Sequence, residues 1–173
     1  MRSTLAVALV LLCSVTVGAE EPTPALDVSG DIQSPGSVAL AQLQALGSVT
    51  AAWKLHGRTH QVTGVPLQKL LESRGFSPGR EGKDVLAAEK HQGWRRVLVA
   101  VGADGYQVAF SCAEVSAAIG ATKALVVWSI DGRPLEPEVG PLRLVALTDK
   151  EGARSVFRLK RIVVVDVTQP FAP

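Results

Sequence analysis

The chain has 173 residues, with 18 Lys and Arg against 16 Asp and Glu, and is 47% hydrophobic and 20% charged, enough for one domain with its own core. With 16 Gly and 10 Pro spread among short β-branched runs, a helical bundle, a coiled coil, a collagen repeat and a disordered chain are all excluded. The charges nearly cancel, so a nucleic-acid binder held by a basic face is excluded too.

Residues 1–19 read as an export signal. Arg2 gives a positive start, residues 4–17 form an apolar run, and Val17-Gly18-Ala19 places compact residues ahead of a cleavage point before Glu20. The run falls short of the roughly 20 apolar residues that a membrane span needs, so no stable membrane insertion is expected after cleavage. Cys13 leaves with the signal and Cys112 becomes the sole thiol. One cysteine makes no internal disulfide, and stability outside the cytoplasm must come from the core. The expected location is therefore exported, periplasmic or secreted, and the bias towards Ala, Val, Leu, Gly and Arg fits a bacterial source.

Beyond the signal, residues 20–27 read as a leader, 28–168 as a single domain and 169–173 as a tail. Pro22 and Pro24 keep the leader out of a sheet interior, and residues 25–30 form a first short strand. Leu40, Leu43 and Leu46 recur at helical spacing ahead of Gly47, which predicts a short helix over 38–46. β-prone runs at 49–55 and 59–62 flank His56-Gly57-Arg58 and predict a hairpin. Pro66, then Leu67, Leu70 and Leu71 on one face, then Gly75, frame a second helix. Residues 77–93 are polar and glycine-punctuated, a surface excursion with a helical stretch at 84–90.

Runs at 95–101 and 106–110 read as strands joined by Gly102-Ala103-Asp104-Gly105. Ser111 and Glu114 form a capping box, which starts a helix at Cys112 that stops by Gly120. Residues 125–130 are apolar on both faces apart from Ser129, as in a covered central strand, and Asp131-Gly132 turns it. Strands at 142–147 and 161–167, with a turn at 149–152, complete a mixed α+β domain dominated by β structure.

His56 and His60 have a spacing that makes a zinc pair on a helix. In an extended strand the same spacing separates them by about 13 Å, so surface histidines and no metal are expected. Ser111, Ser129 and Ser155 lack the Gly-x-Ser-x-Gly context of a hydrolase, and phosphate-cradling glycine loops are absent. Tyr106 either lines a pocket or opens its strand as a core aromatic, and Trp128 reads as core.

Five blocks carry more. Gly64-Val65-Pro66-Leu67-x-x-Leu70-Leu71, Asp104-Gly105-Tyr106, Asp131-Gly132-x-Pro134-Leu135, Gly140-Pro141-Leu142-Arg143-Leu144-Val145 and Ser155-Val156 leading into Leu159-Lys160-Arg161-Ile162 occur in this order. Together they resemble the molybdopterin-binding domain of the sulfite oxidase family across nearly the whole chain beyond the signal. The resemblance implies an α+β, β-dominated sulfite-oxidase-like molybdopterin-binding fold with short flanking helices. It also implies a pterin dithiolene whose molybdenum takes one protein thiolate and cycles between oxidation states during oxygen-atom transfer.

In the family that cysteine precedes the Gly-Val-Pro-Leu helix. Here the corresponding window, residues 47–63, contains none, and Trp53 stands in it. An apolar plug there suits a site that has lost its metal, so no metal ligand is assigned. Cys112 belongs to a different element, where it is either a small buried hydrophobe or the ligand of a rearranged site. The family's Lys-Trp pair is replaced by Phe157-Arg158. Tyr106, Arg143, Arg154, Arg158 and Arg161 are the residues that the resemblance assigns to a cofactor or anion, the basic turn of Arg154, Arg158 and Arg161 being otherwise a solvated surface.

The expected function is therefore that of an exported family member without the molybdenum thiolate, a binding module for a small anionic ligand or an exported protein partner. No cofactor is assigned beyond the molybdopterin that the resemblance implies. The alternatives are a divergent molybdopterin-dependent oxidoreductase using Cys112 or a non-thiolate ligand, and an accessory subunit docking through a β edge or the 77–93 excursion.

Overall fold

The computed structural model describes residues 24–77, 92–117, 119–120 and 122–167. The signal, the helical stretch expected at 84–90 and the tail lie outside the described residues. Two sheets face each other. The first runs β2 (Gly36–Ala39), β1 (Ala25–Gly30), β10 (Leu159–Asp166), β5 (Arg96–Gly102) and β6 (Gln107–Ser111). Within it β1 and β10 are parallel and the other pairs antiparallel. The second runs β3 (Val49–Leu55), β4 (Arg58–Pro66), β7 (Ala124–Ile130) and the two-residue β8 (Arg133–Pro134), with β9 (Arg143–Ala146) also pairing β7. This is the β-dominated α+β architecture that the sequence predicts.

The strand faces follow from period-two alternation. Leu26 and Val28 of β1, Leu98 and Ala100 of β5, Ile162 and Val164 of β10, and Ala124, Val126 and Leu144 of the second sheet bury one side into the main core. The other side of the second sheet carries a smaller cluster of Trp53, Val62, Leu125, Val127 and Val145. β7 is thus covered on both faces, as its unbroken apolar run requires. Helix α2 (Leu67–Ser73) seats Leu67, Leu70 and Leu71 in the main core. No helix among the described residues is long and apolar enough to cross a membrane.

Strand β1 spans Ala25–Gly30 as the sequence predicts, and three details differ from the sequence reading. Val38 and Ala39 belong to β2, so the first helix, α1, is only Leu40–Ala45; pairing with Leu26 and Ala25 overrides the helical spacing. Helix α3 (Cys112–Val115) is a single turn. The Ser111 hydroxyl does accept from the Ala113 amide at 3.2 Å, but the Glu114 carboxylate does not reach back, because Arg154 takes it. Finally, Tyr106 is an exposed residue and not a core aromatic, and Trp128 is only partly buried against the main core.

Candidate functional site

In β9 the alternation sends Leu144 and Ala146 into the main core and Val145 to the smaller cluster. Arg143 therefore projects with Val145 onto the outer face of the second sheet. An antiparallel bridge pairs Leu144 with Val156, the two amide–carbonyl bonds both 3.0 Å. That register puts Phe157 opposite Arg143. From the far edge strand, Trp53 of β3 reaches the same place.

The result is a three-layer stack. The Arg143 guanidinium carbon lies 4.6 Å from the Trp53 ring centre on one side and 4.2 Å from the Phe157 ring centre on the other. Arg143 is 6% exposed and Trp53 2%, whereas Phe157 is 43% exposed. Arg143 Nε is buried without a hydrogen-bond partner, and among the described residues no carboxylate pairs with the guanidinium. Burial pulls the pKa of Arg143 down to about 10, because the charged form has lost water without gaining an anion. A buried charge in a native fold is ordinarily paired. A guanidinium offers a forked set of donors that matches the geometry of an oxyanion.

The other predicted residues do not join it. Arg154 donates to Asp149 at 2.6 and 2.7 Å and to Glu114, and lies over the Phe110 ring at 4.7 Å. Its hydrogen bonds to Asp149 raise its pKa above the ordinary arginine value, with Glu114 adding to them. That cation is neutralised within the fold and ties α3 to the turn after β9. The Tyr106 hydroxyl donates to the Ala153 carbonyl beside it. Arg158, exposed at a positive φ of 43°, donates its amide to Val139 at 2.9 Å. Arg161 pairs with Asp27 at 3.2 Å on the first sheet.

His60 Nδ1 lies 2.8 Å from Asp131 Oδ2, and the Gln61 amide donates to the other oxygen at 2.8 Å. His56 is exposed in the hairpin turn. Cys112 is 1% exposed, within the main core between the sheets, and burial pushes its thiol up to about 12. Among the described residues no group of three His, Cys, Asp or Glu is placed to hold a metal. An apolar cleft of about 360 Å³ opens beside the smaller cluster, bordered by Val49, Ala51, Pro66, Leu125 and Leu147.

Sequence reasoning named Arg143 through its Gly-Pro-Leu-Arg block and Trp53 through the missing cysteine. It did not foresee their contact, nor that Phe157 completes the stack, nor the carboxylates that claim Arg154. The signal for Phe157 was its place in the block where the family carries a lysine.

Comparison with solved structures shows a similar fold in the sulfane dehydrogenase SoxCD from Paracoccus pantotrophus, with a TM-score of 0.61 at 19% identity. The match covers 82% of this chain but 38% of that one, so the chain spans well under half the length of that relative. Comparison with curated proteins gives no match. The family model described as the oxidoreductase molybdopterin-binding domain matches residues 17–171, which include every strand of both sheets and the whole Trp53–Arg143–Phe157 stack. The chain belongs to that family, the molybdopterin-binding domain of the sulfite oxidase type.

Proposed function

We propose that the chain is an exported binding module that takes a small oxyanion at Arg143 and has given up thiolate-held molybdenum. The observation that carries this reading is the buried Arg143 guanidinium, which lies against Trp53 and Phe157 and has no counter-ion among the described residues. Aromatic faces supply about 0.5–1.5 kcal/mol each to a cation. Hydrogen bonds to a charged group contribute about 1.5–3 kcal/mol apiece. An oxyanion received in the fork therefore gains more than the rings alone provide.

The residues fit an anionic group and do not fit the metal half of the family's cofactor. Strand β3, in the stretch ahead of the Gly-Val-Pro-Leu helix, presents the Trp53 indole on the face of Arg143, with no sulfur donor beside it. Cys112, buried in the main core with its thiol pushed up to about 12, is a small apolar filler there, which counts against a rearranged thiolate site. Export is supported by the character of residues 1–19.

The test has two arms. Protein recovered from its native compartment is assayed for molybdenum and pterin, with none expected in stoichiometric amount. The same protein is titrated with inorganic phosphate and sulfate, followed by tryptophan fluorescence, with saturable binding that Arg143→Gln removes. A bound molybdenum–pterin, or anion binding unaffected by Arg143→Gln, overturns the reading.

A further inference from the structure

We infer that strand β3 is the interface for a second copy of this chain, the two β3 edges pairing antiparallel about a twofold axis at Ala52. The first sheet ends in β2 and β6, the second in β3 and β8. Of these β3 is the longest, with seven residues against four in β2, five in β6 and two in β8. It pairs β4 without a register shift from Val49 to Leu55, and among the described residues no other backbone bonds to it. It contains no proline and a single charge, Lys54, so it lacks most of the devices that keep a free edge from pairing.

The hairpin turn fixes which backbone groups are free. A two-residue loop, His56 and Gly57 at φ 47° and 78°, joins Leu55 to its register partner Arg58. Positive φ at both residues marks a turn whose flanking residues exchange both amide–carbonyl bonds. Alternation then directs the backbone of Val49, Ala51, Trp53 and Leu55 at β4, and that of Thr50, Ala52 and Lys54 outward. With Ala52 on the axis, Ala52 faces Ala52 of the second copy, Thr50 faces its Lys54, and the whole strand is paired. The side chains agree with this register. Each Lys54 meets the Thr50–Thr63 hydroxyl pair, whose oxygens lie 3.0 Å apart, so the cation finds acceptors and no like charge. An axis at Lys54 opposes two ammonium groups, and an axis at Thr50 leaves most of the strand unpaired. On the other face Val49, 38% exposed, meets Leu55, and Ala51 meets Trp53. The smaller apolar cluster thereby runs on from one copy into the other. An unrelated extended peptide finds the same backbone groups but not this side-chain match, which is why the occupant is a second copy.

Sedimentation velocity over a concentration series, on the protein recovered from its native compartment, reads the association. Wild type is expected to reach the mass of a dimer. Ala52→Pro removes an outward amide and none bonded to β4, and is expected to stay monomeric with an unchanged near-UV circular dichroism spectrum. Thr50 is exposed, and its variants test the register even where proline disturbs the strand. Thr50→Lys opposes two cations on each side of the axis and is expected to weaken the dimer about tenfold, and Thr50→Glu to tighten it by about as much. A wild type that stays monomeric at every concentration overturns the inference. A dimer that Ala52→Pro leaves intact in a folded protein, or that both Thr50 variants leave unchanged, overturns it as well, because the contact then lies elsewhere.

Discussion

Replacing Arg143 by methionine separates what this residue does for the fold from what it does for a ligand. Its pKa, pulled down to about 10 by burial, corresponds to roughly 3 kcal/mol disfavouring the charged form in the folded state relative to water. The two ring contacts return about 1–3 kcal/mol of that. Methionine keeps an apolar stem between Trp53 and Phe157, makes sulfur–ring contacts and carries no charge to desolvate. Arg143→Met is therefore expected to stabilise the protein by about 1–2 kcal/mol, in line with other buried charges replaced by apolar residues. That raises Tm by a few degrees, roughly 2–4 °C per kcal/mol at this size, while anion binding disappears. The pH dependence has a definite sign. The group is a base whose folded pKa lies below its unfolded one, so the unfolded chain holds more protons as pH passes 10, and wild-type stability rises with pH there. The advantage of Arg143→Met is greatest below about pH 10 and shrinks above it. Urea midpoints at pH 7 and pH 10.5 measure both effects. A variant destabilised by about 1 kcal/mol or more at pH 7 refutes the reasoning, because it means that the guanidinium is satisfied in a way the stack does not provide.

Three further outcomes follow from the packing. Asp131 is held below the ordinary carboxylate range by its hydrogen bond to His60 and then by the Gln61 amide, so the stability it supplies is complete above its unfolded pKa and is lost as pH falls through the lowered value. Asp131→Asn should flatten that acid limb in urea unfolding below pH 4 and leave the lower end unchanged; an unaltered slope contradicts it. Cys112, 1% exposed with its thiol pushed up to about 12, should resist thiol reagents at pH 8 until the protein unfolds, and rapid labelling of the native chain contradicts its burial. A Cβ at Gly64 meets the Val126 carbonyl oxygen at 2.3 Å, where the β4–β7 register shifts, so Gly64→Ala should destabilise by about 1–3 kcal/mol, read as a lower urea midpoint.

Much of the scaffold was legible because its signals are local. The Gly-Val-Pro-Leu helix, the Asp131-Gly132 turn and the doubly apolar β7 depend on spacing and on residues with fixed backbone habits. The helix over 38–46 was misjudged at its start because Val38 answers to Leu26 across β1 and β2, and a pairing partner outweighs leucine spacing in a segment that short. Charges were the hardest to place. Arg143, Arg154 and Arg161 look alike in the chain, yet Arg154 finds two carboxylates, Arg161 finds Asp27 and Arg143 finds none among the described residues. Which of these happens depends on strands brought together from distant stretches.

By itself, the sequence determined the family, the order of the elements and the absence of a sulfur donor ahead of the second helix, since all three reside in residue identity and spacing. The tertiary structure alone decided that Trp53 and Phe157 enclose Arg143 and that Arg154 is already neutralised. Those facts are set by the β9 alternation and the Leu144–Val156 bridge, and a contact across sheets is a property of register that a linear pattern does not contain.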